Sequence, residues 1–414
     1  MRKTKVSLIA LFLAAAFAIA LAPGAFGQET VTLRMIAPWA DKELEGFKPV
    51  IARFEQLNPG IKIEYRTGKP EDTATILSTQ FSVKKTPADI IDTAWPWYIA
   101  QEAKKGNLLA LDDVVDIADY RPGSLDQLVV GKKLYGVSSI GGLDIAEFNA
   151  KYYRDRKLTD PRDVKTWEEL IALMDKVRKA SGVKAAIGTG GGVGWTNTTV
   201  IQTFINTFGG KAVYDDLTAG KLSWESSTVR GIMKDRLLPL LRNGYFGEPE
   251  ENAAVTENMW KGRYGFFFGG TTDALRFKDP PGDYAVFLLP GQKAISMWSD
   301  FWFVPAYTEH PAEAKKLLKF LATEGQAIQV KGGGRIATYN KVPPSNYPSA
   351  EQMILKIIGS VAINPDIDDT IGGKFQTVMW DQLKLLWADP TEDTLDAVLS
   401  EMQKASAETL GASK

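Results

Sequence analysis

The chain has 414 residues, of which 44% are hydrophobic and 24% charged, so it is long enough for two domains with sizeable cores. It holds no cysteine, which excludes disulfides, thiol nucleophiles, thiolate metal sites and lipid attachment to an N-terminal cysteine. A formal charge of −1 and a single histidine, His310, argue against a nucleic-acid partner, Ser-His-Asp catalysis and a histidine-based metal centre.

Arg2, Lys3 and Lys5 precede an apolar stretch from Val6 to Ala22, and small residues follow around Ala25-Phe26-Gly27. This reads as a secretory signal peptide over residues 1–27, cleaved before Gln28. An uncleaved anchor fits less well, because the apolar run is short and broken at Pro23-Gly24. Cleavage leaves 46 basic against 50 acidic residues, a net charge of −4. A free, monomeric, exported protein, periplasmic in location, is expected.

Val31 to Tyr65 reads as a β-α-β unit. Val31, Leu33, Met35 and Ile36 make a strand that stops at Pro38, and Val50, Ile51, Phe54 and Leu57 make the apolar stripe of a helix opened near Pro49. Asn58-Pro59-Gly60 ends that helix, and Ile61, Ile63 and Tyr65 resume a strand. Ligands of such units gather at the carboxyl ends of the strands, where Trp39, Asp41 and Lys42 stand in a loop. Asp72 to Lys85 reads as a helix. Ala88 to Asp92 reads as a strand, ending in a second aromatic loop that carries Trp95, Trp97 and Tyr98. A further helix closes at Gly106-Asn107. Gly141-Gly142, followed by Leu143 and Asp144, marks an interdomain crossing.

From Lys151 the pattern turns helical. Thr166-Trp167-Glu168-Glu169 is a capping box, and Trp167, Leu170, Ile171, Met174 and Val177 form a core-facing stripe. Lys184 to Ile187 is a strand running into the glycine-rich stretch Gly188-Thr189-Gly190-Gly191-Gly192-Val193-Gly194, then Trp195 and Asn197. No register there gives a G-x-G-x-x-G fingerprint, so the run reads as a loop that brings backbone N–H groups and Trp195 to a polar ligand. Arg263 to Phe268 is a strand leading into Gly270, Thr271 and Thr272, with Phe266, Phe267 and Phe268 assigned to core. Ser296 to Pro305 reads as an aromatic turn, with Trp298 and Asp300, feeding a strand. Pro311 opens a helix, and Gly332-Gly333-Gly334-Arg335 forms a second crossing. Helices follow near Ala350 to Ile358, Lys374 to Leu386 and from Asp389-Pro390 onward, with a frayed tail after Glu408.

Several of these stretches, in order along the mature chain, resemble the extracellular sugar-binding proteins of ABC transporters, the group that includes maltose-binding protein. They are Trp39-Ala40-Asp41-Lys42, Ala88-Asp89-Ile90-Ile91 with Gly106-Asn107-Leu108-Leu109, and Tyr135-Gly136-Val137. Phe148-Asn149, Thr166 to Leu170, Lys261 to Gly270 and Ala312 to Leu321 continue the run. The resemblance implies an α/β, two-lobed periplasmic-binding-protein fold of type II, with lobes joined by crossing hinge segments and the ligand cleft between them. The lobes would be 28–143 with 300–337, and 144–299 with 338–414. It also implies hinge closure, docking on a membrane permease, and contact of Asp41 and Lys42 with sugar hydroxyls. The chain departs from the pattern at Trp95-Pro96-Trp97, where relatives often carry charges, and at Thr272, where maltose-type members place an aromatic.

A sugar presents hydroxyls at its edges and flat C–H faces, so its site needs planar polar groups and aromatic rings. Asp41, Asp144, Asp300, Lys42 and Arg335 are candidates for the first, and Trp39, Trp95, Trp97, Trp195 and Trp298 for the second. Asn197, Gly270 and Thr271 complete the expected ligand site. No catalytic residue, metal or cofactor is expected. Two other readings stay open. A secreted glycoside hydrolase would need a facing carboxylate pair, and the dense acidic set Glu248, Glu250, Glu251 reads as a solvated loop. The same fold could instead take a phosphorylated polyol, an anion or a peptide.

Overall fold

The computed structural model describes residues 30–121, 123–192, 194–271 and 283–412. The expected signal peptide, Thr272 and the side chain of Lys42 lie outside what is described.

The opening unit folds as its periodicity dictates. Strand β1 (Val31–Ala37) buries Leu33, Met35 and Ala37 and pairs in parallel with β2 (Ile61–Thr67) and β3 (Ile90–Thr93). Helix α1 (Asp41–Leu57) lays Phe47, Val50 and Phe54 on the sheet. It starts eight residues earlier than its apolar stripe suggests, so Pro49 lies inside the helix and Asp41 in its first turn, not in a loop. Proline there removes one helical hydrogen bond. Burial of residues on both sides of it, on an otherwise continuous face, holds the helix together. Helix α2 (Pro70–Ser82) precedes β3, and Pro96 opens α3 (Pro96–Lys104), so Trp97 and Tyr98 sit in a first helical turn.

The remaining sheet strands are β4 (Val137–Asn149), β5 (Ala185–Thr189), β6 (Phe246–Pro249), β7 (Tyr264–Gly270), β8 (Tyr284–Phe287), β9 (Ala294–Phe303), β10 (Ile336–Ala337) and β11 (Ala362–Pro365). The path across the sheet is β2-β1-β3-β9-β4-β7-β5-β6, with β8 and β10 added on β4 and β11 on β9. Strands β4 and β9 run antiparallel and tie the molecule together. Val137 of β4 and Trp302 of β9 belong to a first core with Leu33, Phe54 and Leu318. Phe148 of β4 belongs to a second core with Leu170, Phe204, Phe266, Phe375 and Leu399. Leu143, Ile145 and Ile295 belong to a third, between them, with Ile336 and Ile354.

Two strands therefore begin earlier than expected. Gly141 and Gly142 lie within β4, and Ser296 to Phe303 within β9, because each glycine lets the partner strand come close. A Cβ on Gly141 would stand 2.3 Å from the Trp298 carbonyl oxygen. The last helix, α9 (Glu392–Ala412), also continues past Glu408, where Thr409 Oγ1 accepts a 3.3 Å bond from the Phe375 amide. Elsewhere local signals suffice. The capping box at Thr166 and Glu169 forms and starts α4 (Trp167–Arg178), while Trp167 packs edge-on against Phe204 and Phe208. Glu250 is no free loop acid: Lys184, Asn258 and Tyr264 donate to it at 2.6, 2.7 and 3.0 Å.

Candidate functional site

A cavity of about 300 Å³ opens where the cores meet, lined by Ala94, Trp95, Asp144, Trp195, Gly270, Trp298, Asp366, Asp368, Asp369 and Trp380. The wall is contributed by the end of β3, the middle of β4 and β9, the end of β7, helix α5 (Trp195–Phe204), helix α7 (Ile367–Ile371) and helix α8 (Gly373–Ala388). Helix α6 (Pro311–Phe320) packs in the first core, away from it.

Three of the four indoles are fixed by what lies behind them. Trp95 is stacked on Trp97, with centroids 5.6 Å apart and planes at 24°, and a Cβ on Gly372 would stand 2.1 Å from the Trp97 ring. Trp298 lies against Gly142, and the Arg335 guanidinium stands 5.3 Å from its centroid. Trp380 packs on Gly194 and donates from Nε1 to Asp368. Trp195, in contrast, is 38% exposed. Rings held in this way have little rotamer freedom left to lose on binding.

The carboxylates form a row. Asp144 sits in β4 between Gly270 of β7 and Ser296 of β9. Gln202 donates to Asp144 and, at 3.3 Å, to Asp366, and Thr199 donates to Asp144 at 3.5 Å. Asp369 accepts from Gln376 at 2.7 Å. Burial pushes Asp144 up to about 7, against hydrogen bonds from Asp366 and Thr199, while Asp368 and Asp369 add repulsion. Burial and neighbouring carboxylates likewise drive Asp366, Asp368 and Asp369 well above the usual range.

Behind Trp298 lies a second polar group. Arg335 bridges Asp300 at 3.4 Å and Glu43 at 2.8 Å, and Trp39 Nε1 donates to Asp300 at 3.2 Å. Asp300 stands at an irregularity in the pairing of β9 with β4, the kind of local bulge that re-aims a side chain. Burial pushes Asp300 up while Arg335 pulls it down, and burial with repulsion from Asp300 pushes Asp92 well above the usual range.

The structure thus brings Trp95, Asp144, Trp195, Gly270 and Trp298 together on the cavity wall. Trp97, Asp300 and Arg335 stand behind it. Trp39 is 2% exposed and packs edge-on against Phe47 and Trp302 in the first core. Thr271 is buried, its hydroxyl accepting from the Leu143 amide at 3.2 Å, and Asn197 is buried beside Gly191. Asp41 lies exposed on α1, and its φ of +46° is an angle that aspartate tolerates better than most residues. Sequence reasoning missed Asp366, Asp368, Asp369 and Trp380. The run Pro365-Asp366-Ile367-Asp368-Asp369 is as dense in acid as the set around Glu250, and it was the signal available.

Two packed lobes that share a sheet and meet at an aromatic, acidic cavity make the architecture of a solute receptor. The chain belongs to the bacterial extracellular solute-binding proteins, whose family model matches residues 40–328. It is 41% identical over 378 residues to an uncharacterized ABC transporter extracellular-binding protein of Pyrococcus horikoshii, covering 91% of this chain and 89% of that one. A second such protein of the same organism is 22% identical over 350 residues, 80% of this chain and 77% of the other. Among solved structures, the bacterial solute receptor AcbH, reported to prefer β-D-galactopyranose exclusively, superposes with a TM-score of 0.80 at 16% identity, over 91% of this chain and 98% of its own. A chitin oligosaccharide binding protein gives 0.79 at 19%, covering 92% and 100%. The maltose-bound T. maritima MalE3 gives 0.71 at 18%, covering 91% and 100%. Among the described residues, no helix is long and apolar enough to cross a membrane.

Proposed function

We propose that this protein captures a sugar in the cavity between its cores and delivers it to the permease of an ABC importer, without converting it. The observation that carries this is the wall itself: Trp95, Trp195, Trp298 and Trp380 offer faces for the C–H surfaces of a pyranose, and Asp144, Asp366 and Asp369 offer acceptors for its hydroxyls. The sugars bound by proteins of the same fold support it. In this reading residues 1–27 direct export to the periplasm, and the mature chain acts as a monomer. Residues 28–143 with 300–337 close against 144–299 with 338–414 about the crossing strands. The closed form presents both lobes to the permease.

The carboxylate row disfavours an anionic ligand. Hydrolysis fits poorly too, because Asp144 and Asp366 share one donor, Gln202 Nε2, and so stand side by side rather than facing each other across a glycosidic bond. The test is tryptophan fluorescence of the mature chain titrated with mono- and oligosaccharides, neutral and amino forms alike, and checked by calorimetry. Saturable binding with the sugar recovered intact is the expected result. Cleavage of the sugar, or silence across the whole panel, overturns the proposal.

A further inference from the structure

The acid around this cavity exceeds what hydroxyl recognition needs. Asp144, Asp366, Asp368 and Asp369 all line it, and no lysine, arginine or histidine is among its lining residues. Asp300 stands near enough to raise the proton affinity of Asp369 further, and Arg335, the nearby guanidinium, is committed to Asp300 and Glu43. Asp366 Oδ1, in the cavity wall, is shut off from solvent and has no hydrogen-bond partner in the protein.

A neutral sugar accepts hydrogen bonds from, and donates them to, such groups, but it does not offset like charges held together out of water. A cation does. The four indoles point the same way, since the negative face of an indole attracts an ammonium group, most strongly where water is excluded. A metal ion is a poor match: among the described residues, no group of three or more His, Cys, Asp or Glu side chains is arranged to hold one.

We infer that the sugar taken by this site carries a protonated amine, which sits among the carboxylates of Asp144, Asp366 and Asp369 with its ring against the indoles. The inference rests on the capture reading above and narrows its ligand class to amino sugars. The high proton affinity of these carboxyls in the empty cavity reports the same local field. The ammonium takes the place of the protons that would otherwise neutralise it.

The test is calorimetry of the mature chain, below the pKa of the amine, with glucosamine and its β-1,4-linked dimer and trimer. Each is compared with its N-acetylated form and with glucose and cellobiose. The amines are expected to bind at least tenfold tighter than their acetylated or hydroxyl counterparts. Asp366→Asn and Asp369→Asn are expected to shrink that preference severalfold while leaving the melting temperature equal or higher, since folding no longer has to keep a buried carboxyl protonated. Equal or tighter binding of the acetylated or neutral sugars overturns the amine assignment and leaves the capture reading standing. Binding of choline with no sugar bound overturns both. A preference unchanged in the two variants overturns the placement among these carboxylates.

Discussion

Gly142 and Trp298 face each other in register across β4 and β9, and a Cβ on Gly142 would stand 2.4 Å from Cζ2 of the indole. The glycine is what lets a wall of the cavity lie flat on the sheet. Gly142→Ala should therefore lower stability by about 1–3 kcal/mol through overpacking and weaken ligand binding by tilting Trp298. Gly231, with nothing within 4 Å of an added Cβ, is the control, and Gly231→Ala should change neither binding nor stability adversely. Thermal melts and titrations of the two variants check this. A Gly142→Ala protein that binds like the parent would show that Trp298 is not set by that contact.

Trp195 and Trp39 should behave oppositely. Trp195 is 38% exposed in the cavity wall, so Trp195→Ala should change stability by no more than about 0.5 kcal/mol while sharply weakening binding. Trp39 is 2% exposed and supports Phe47, Trp302 and Asp300, so Trp39→Ala should cost about 3–5 kcal/mol. Chemical denaturation beside titration separates the two effects. A Trp39→Ala protein of parental stability would contradict its place in the first core.

The carboxylate row predicts a pH dependence of unusual sign. Asp144, raised to about 7, holds its proton in the folded chain over a range where the unfolded chain has lost it. The native state thus binds more protons between the ordinary carboxyl value, near 4, and about pH 7. Stability from this group is full below that window and is lost as pH rises through it, by up to about 1.4 kcal/mol per pH unit. Asp366, Asp368 and Asp369 shift in the same direction and add to the slope. Denaturation of the ligand-free protein at pH 5 and pH 8 should show greater stability at pH 5, and Asp144→Asn should lessen the difference. A protein more stable at pH 8 would contradict the assignment.

Gln326 pins the crossing region. Fully buried, it donates to the Ser138 carbonyl at 3.0 Å and to Thr338 Oγ1 at 3.1 Å, and it accepts from the Tyr339 amide at 3.0 Å. Gln326→Ala removes the donor to Ser138 and the acceptor of the Tyr339 amide and should cost about 1–3 kcal/mol. Gln326→Glu removes the donors and should be at least as costly near neutral pH. Urea midpoints measure both, and variants indistinguishable from the parent would remove Gln326 from the role.

What could be read in advance was what depends on neighbours within a few residues. The alternation in β1, the stripe of Val50 and Phe54, the capping box at Thr166 and the core role of Phe266 to Phe268 are all local signals, whereas Leu57, at the end of that stripe, is exposed. Pro49 misled because a proline that opens a helix and one tolerated within it look alike until the packed face is known. Gly141 and Gly142 signalled a special backbone, but the reason is Trp298, far away in sequence, and a flexible break and a close approach leave the same mark. The site divides in the same way. The strand-end rule located the backbones of Trp39 and Trp95, yet the Trp39 indole turns inward to Phe47 and Trp302. Asp366, Asp368 and Asp369 carry no such local mark, because their stretch reads as part of a helical tail. Their meeting with Asp144 depends on β11 pairing beside β9, which no local pattern announces.

Because β4 contributes residues to all three cores, and β9 to the first and the third, neither half of this molecule is a separable module. Loss of packing in one half removes sheet from the other, so the chain should melt in one calorimetric transition despite its two lobes. The same continuity fixes the orientation of one half relative to the other through the twist of two paired strands that run between the cores.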